Sequence, residues 1–72
     1  MIKIENYWID DRPTLEDIKE AYDLVSKNNI IIKISWYVEY SGSYSRMVTK
    51  EHIAEMTAEE YFEKVIPHVY GV

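Results

Sequence analysis

The two histidines are the side chains in this 72-residue sequence best suited to acid–base or metal chemistry. His52 has Glu51 and Glu55 close to it in the sequence, whereas His68 follows a proline. A metal centre needs three or four converging ligands, and neither a His-Glu-x-x-His pattern nor a repeated acidic spacing occurs. We therefore expect histidines that are exposed or packed, and no metal site.

Nucleophilic and phosphate-binding patterns are also missing from the sequence. Four serines, at positions 35, 41, 43 and 45, lie on a predicted strand or turn, but no Gly-x-Ser-x-Gly elbow accompanies them. Gly42 and Gly71 are the only glycines, so no glycine-rich loop can cradle a phosphate. The sequence favours a protein that is not an enzyme, with no catalytic residues and no cofactor.

A predicted hairpin carries the best candidates for binding. They are Lys33, Tyr37, Tyr44 and Arg46. Tyrosine offers a large contact area at low rotamer cost and arginine offers a planar group with several donors, so binding surfaces are rich in both. We expect these four residues on the sheet face opposite Ile32, Ile34, Trp36 and Val38. The structural alternative is that the two tyrosines only pack across the strands.

Two kinds of partner fit such a surface. A protein would contact the aromatic hairpin or the acidic helices. Alternatively, bases of a single-stranded nucleic acid would stack on the tyrosines, with Lys33 and Arg46 near phosphates. The net charge of -5 argues against strong phosphate binding, although residues 29–50 carry three basic side chains and one acidic side chain. A protein partner is the preferred prediction.

The hairpin itself is predicted from apolar residues at every second position between Ile30 and Tyr40, followed by Ser41-Gly42-Ser43. A two-residue turn at Gly42-Ser43 pairs Glu39 with Arg46, Val38 with Met47 and Tyr37 with Val48. A three-residue loop is the alternative, and it pairs Tyr40 with Tyr44 and Glu39 with Ser45.

The remaining elements are predicted from periodicity and capping. A first strand starts at Ile2 and ends before Asp10, and a helix capped by Thr14 and Asp17 runs from about Leu15 to Lys27. The long crossover makes the first two strands parallel. Thr57 with Glu60 predicts a helix from Ala58 to about Ile66. Residues 50–56 fit either a helical turn or an extended link, and residues 68–72 are expected to extend onto the protein's own core or another strand edge.

These elements predict one α+β domain over residues 1–72, in the order β-α-β-β-α, with a central hairpin and two amphipathic helices on the sheet. The absence of cysteine favours a reducing compartment, and the longest aliphatic run, residues 30–32, is far too short to cross a membrane. We expect a cytoplasmic protein. A core this small would gain from a symmetric homodimer formed through an edge strand.

Two segments, Trp36-Tyr37-Val38-Glu39-Tyr40-Ser41-Gly42 and Glu60-Tyr61-Phe62, give the chain a family resemblance. Together with its length and acidity, they make it similar to the short accessory proteins of phages and conjugative elements in Gram-positive bacteria. The resemblance implies a role in modulating a host or mobile-element protein by binding rather than by catalysis. It transfers no functional residue to this sequence.

Overall fold

The structure, a computed structural model, describes residues 2–67. Within that range the chain forms three strands and three helices. They are β1 (Lys3–Ile9), α1 (Leu15–Lys27), β2 (Ile30–Val38), β3 (Gly42–Val48), α2 (Lys50–Glu55) and α3 (Ala58–Lys64). The predicted α+β class is confirmed, with one more short helix than expected.

The sheet formed by these residues has the order β1-β2-β3. β1 pairs with β2 in parallel, as predicted from the long crossover that contains α1. β2 pairs with β3 in an antiparallel hairpin. β2 is therefore the central strand, and β1 and β3 each have one free edge within residues 2–67.

All three helices begin with a capping box. At α1, the hydroxyl of Thr14 accepts from the backbone N–H of Asp17, and the Asp17 carboxylate accepts from Thr14 in return. Thr57 and Glu60 form the same arrangement at α3, which ends at Lys64, slightly earlier than predicted. Residues 50–55 prove helical because Thr49 and the imidazole of His52 cap the segment.

The core lies between the helices and one face of the sheet. Its buried members are Ile18, Ala21, Val25, Ile32, Ile34, Trp36, Val38, Val48, Ala58, Tyr61 and Ile66. The predicted inward side of the central strand is thus confirmed from Ile32 to Val38. The prediction for the C-terminal segment falls on residues 68–72, which lie outside the described residues.

Candidate interaction surface

The hairpin register decides which side chains share a surface, and both registers expected from the sequence are wrong. Val38 pairs with Gly42 rather than Met47, a difference of 47 − 42 = 5 residues. The loop consists of residues 39–41, and Ser41 donates its N–H to the carbonyl of Val38 at 3.0 Å. β2 ends at Val38, so Tyr40 lies in the turn and is 79% exposed rather than part of the strand.

Because side chains alternate along a strand, this odd shift from the two-residue turn moves every β3 side chain to the other face, whereas the three-residue loop differs by 46 − 42 = 4 residues and keeps the faces. Tyr44 therefore pairs with Trp36, and Arg46 pairs with Ile34, on the face that the helices cover. The rings of Tyr44 and Trp36 stack with centroids 5.7 Å apart. The Nε of Arg46 donates to the carbonyl oxygen of Val65, at the end of α3, at 3.1 Å. The expectation that all four hairpin candidates share one face is wrong.

Lys33 and Tyr37 do lie on the predicted outer face, which no helix among residues 2–67 covers. We call this surface the open face. From the register and the alternation, its members are Ile4, Asn6, Trp8, Ile31, Lys33, Ser35, Tyr37, Ser43, Ser45 and Met47. Large apolar side chains remain exposed there: Trp8 by 62%, Ile4 by 51%, Tyr37 by 49% and Met47 by 39%.

Sequence reasoning missed the contribution of β1 to this face. The sequence predicts Ile4 and Trp8 in a first strand, but the direction of their side chains follows only from the parallel register, in which Ile4 aligns with Ile31 and Trp8 with Ser35. The even spacing of these two apolar residues was the available signal. That spacing puts both residues on one face of β1, but apolar alternation ordinarily indicates a buried face, so only the register shows that they point away from the helices.

One end of the open face is acidic. Asp10, Asp11 and Glu39 line a cavity of about 360 Å³ together with Tyr37. Asp10 comes directly after the last residue of β1, which aligns with Trp36, so it lies level with Tyr37. The open face thus has one cation, Lys33, and three carboxylates around its Tyr37 end.

His52 on α2 and Tyr61 on α3 contact each other and help to pack these two helices together. The ring of His52 meets the edge of Tyr61 with centroids 5.2 Å apart, and Tyr61 donates its hydroxyl to the carbonyl of Met47 at 2.7 Å. Burial raises the pKa of Tyr61 to about 12, with a further increase from nearby Tyr22. Residues 2–67 contain no group of three or more His, Cys, Asp or Glu side chains that could hold a metal ion. His68 lies outside that range.

None of the helices in residues 2–67 is both long and apolar enough to cross a membrane. Comparisons with protein-family models, with curated proteins and with solved structures gave no match.

Proposed function

We propose that this protein is a non-catalytic interaction module that binds another protein through the open face. The observation that carries the proposal is the exposure of Ile4, Trp8, Tyr37 and Met47 on one side of the sheet. Monomeric soluble proteins rarely leave large contiguous apolar patches uncovered, and aromatic residues and methionine are enriched where proteins bind each other.

The acidic helices offer a weaker surface than the open face. Asp17 and Glu60 are used in capping boxes. The carboxylate Oε2 of Glu59 lies 3.7 Å from the Nζ of Lys19, and the Oδ1 of Asp23 lies 3.1 Å from the Nζ of Lys27. Carboxylates that already have cationic or amide partners within the chain lose those contacts when a basic partner arrives, so they gain less from binding it.

Single-stranded nucleic acid fits the open face less well than a protein does. The register leaves Lys33 as the one cation among its ten residues, because Arg46 lies on the covered face. The carboxylates of Asp10 and Glu39 at one end would repel phosphates. The aromatic pair of Trp8 and Tyr37 could still stack on bases, so the experiment below includes nuclease.

A site-specific photo-crosslinker tests the proposal. Benzoylphenylalanine is placed at Tyr37 on the open face and, in a matched variant, at Glu16 on the exposed side of α1. We expect nuclease-resistant crosslinks to protein from position 37 and few from position 16. The resemblance to mobile-element accessory proteins extends the proposal to a host or element protein as a further target of the module.

Three results would contradict this proposal. Stronger crosslinking from position 16 would move binding to the acidic helices. Crosslinks that disappear with nuclease would favour nucleic acid, and the absence of crosslinks from position 37 in the folded protein would leave the open face without a partner.

A further inference from the structure

We infer that the open face binds a second copy of this chain, so that two sheets pack face to face with the helices outside. This inference rests on the proposed function, since it names the protein that covers the same surface. It differs from the edge-strand dimer expected from the sequence, because here no strand edges pair.

A two-fold axis would bring the positive charge of the open face in each copy against the negative charges at the end of the same face in the other copy. Lys33 lies four residues before Tyr37 on β2, about 13 Å along the strand, with Ser35 midway between them. If the β2 strands of two copies run antiparallel and cross over Ser35, Lys33 of each copy lies over Tyr37 of the other. The ammonium then reaches toward Asp10 and Glu39, which line the cavity beside Tyr37. A symmetric interface contains this contact twice.

The centre of the face allows the sheets to approach closely. Ser35 pairs with Ser45 on one side and with Trp8 on the other. The two Ser35 side chains leave room at the crossing point, and the two Trp8 side chains face each other on one side of it. Aligned sheets of this kind pack about 10 Å apart and cross at roughly 30°.

The remaining charges do not oppose this packing. The chain has a net charge of -5, but its helical carboxylates lie on the layer away from the open face. In the dimer these layers are separated by more than the roughly 10 Å between stacked sheets. That distance exceeds the Debye length of about 8 Å at physiological salt, so their repulsion is largely screened.

The area is sufficient for a weak, specific dimer. Three strands about 4.8 Å apart and seven residues long give a face of roughly 14 by 23 Å. Because side chains make each face rougher than a flat rectangle, two such faces bury on the order of 1,000 Å² of accessible surface in total. This area is near the lower limit for specific interfaces. We therefore expect a dissociation constant in the micromolar range.

Sedimentation equilibrium of the full chain, from about 5 to about 500 µM, tests the inference directly. We expect the wild type to approach twice the mass of one chain at the upper end. Trp8→Thr should weaken dimerisation at least tenfold. Tyr7→Thr is the matched control, because Tyr7 is the neighbouring residue of β1 on the other face. Circular dichroism of each variant checks that it is folded.

A charge-reversal pair provides the sharper test. Lys33→Glu alone should be monomeric, because the introduced carboxylate would face Asp10 and Glu39 of the second copy. The variant Asp10→Lys with Glu39→Lys should also be monomeric, because its added ammonium groups would face Lys33. An equimolar mixture should restore the dimer, since both contacts then join opposite charges. Lys19→Glu, a charge reversal on α1, should dimerise as strongly as the wild type.

Several outcomes would overturn the inference. A wild type that stays monomeric at 500 µM excludes a second copy as the partner of the open face. The crosslinks from position 37 would then still decide the proposed function. A dimer that is insensitive to Trp8→Thr and to both charge reversals lies elsewhere, at a strand edge for example. In that case the open face would lose its assigned partner.

Discussion

Tyr61 connects three parts of the fold through one side chain. Its ring packs edge-on against Tyr22, with centroids 5.8 Å apart, and against His52. Its hydroxyl donates to the carbonyl of Met47, so α3 is bonded to β3 across the core. The residue is fully buried. A buried phenol keeps its proton to higher pH than an exposed one because the low-polarity surroundings disfavour the phenolate.

Tyr61→Phe should therefore change stability in two ways. Near pH 7 we expect a loss of about 1 kcal/mol, because the hydrogen bond disappears and the Met47 carbonyl loses this donor. The pKa of Tyr61 is raised to about 12 from an ordinary 10.0, so its contribution is complete below pH 10 and is lost as pH rises toward 12. Urea unfolding from pH 7 to pH 12 should show a shallower alkaline decline in the variant.

The exposed Tyr40→Phe is the control for the alkaline experiment. It should leave the alkaline decline unchanged, because Tyr40 lies in the turn with most of its surface in water. An alkaline decline that stays as steep in Tyr61→Phe as in the wild type would show that other groups cause it.

At the scale of elements, the hairpin turn contains an unfavourable backbone conformation. Tyr40 has φ of 68°, and it is the only non-glycine residue in the described range with a positive φ. The left-handed region costs an ordinary residue roughly 1 kcal/mol or more, and asparagine tolerates it better. The turn therefore adopts its geometry against the local preference of this residue.

We predict that Tyr40→Asn stabilises the protein by up to about 1 kcal/mol, since little packing is lost at an exposed position. The urea midpoint, measured at low protein concentration, reports the gain. Ser41→Asn serves as the matched control because Ser41 has no positive φ, and it should give no comparable increase. A destabilised Tyr40→Asn would mean that the tyrosine ring makes contacts that outweigh the strain.

The start of α3 depends on a carboxylate. Glu60 accepts from the backbone N–H of Thr57 at 3.2 Å and lies 3.6 Å from Lys64. The hydrogen bond from Thr57 is the main reason that the pKa of Glu60 is lowered, and Lys64 lowers it further. The ionised form is therefore favoured in the folded state over the unfolded state.

Acid should remove this stabilisation. A lowered pKa means that Glu60 contributes fully above its ordinary value of 4.5, and the contribution is lost as pH falls through the lower folded pKa. Glu60→Gln should be less stable than the wild type at pH 7 and lose less stability as pH falls below 4.5. Thermal unfolding between pH 7 and pH 3 measures this difference. Glu55→Gln, an exposed change on α2, should follow the wild-type curve.

At the scale of the whole molecule, residues 2–67 form two layers, with helices on one face of the sheet and no helix on the other. Ile18 on α1 is completely buried between these layers, whereas Ile4 on the open face is 51% exposed. Replacing isoleucine by alanine at each of these two positions therefore distinguishes the stability contributed by the core from that contributed by the interaction surface.

Ile18→Ala should lower the free energy of unfolding by about 2–5 kcal/mol, from lost burial and from the cavity left behind. For 72 residues at about 0.05–0.15 kcal/mol each, that is a large share of the total. Ile4→Ala should have a small effect in dilute solution and a larger one at concentrations where the dimer forms. Chemical unfolding at two protein concentrations distinguishes the effect of Ile18→Ala from that of Ile4→Ala. Equal losses at both positions would mean that the open face is already covered within the monomer.

The sequence alone was enough to predict the elements with strong local signals. α1 is bounded by the capping pair of Thr14 and Asp17 and by its 3.6-residue apolar period, and it runs from Leu15 to Lys27 as predicted. The parallel pairing of β1 with β2 followed from the length of the crossover. These predictions succeeded because hydrogen bonds between near neighbours and the burial of one side act within each segment.

Only the tertiary structure decided the hairpin register, and with it the candidate site. Alternation along β3 is compatible with several registers, and the turn sequence does not select one because Tyr40 adopts a left-handed conformation that its residue type disfavours. The observed register places Val48 in the core and stacks Tyr44 on Trp36, and α3 bonds Arg46. Since a shift by one residue exchanges the two faces, contacts between distant segments determined that Trp8 and Met47, rather than Tyr44 and Arg46, join Tyr37 on the open face.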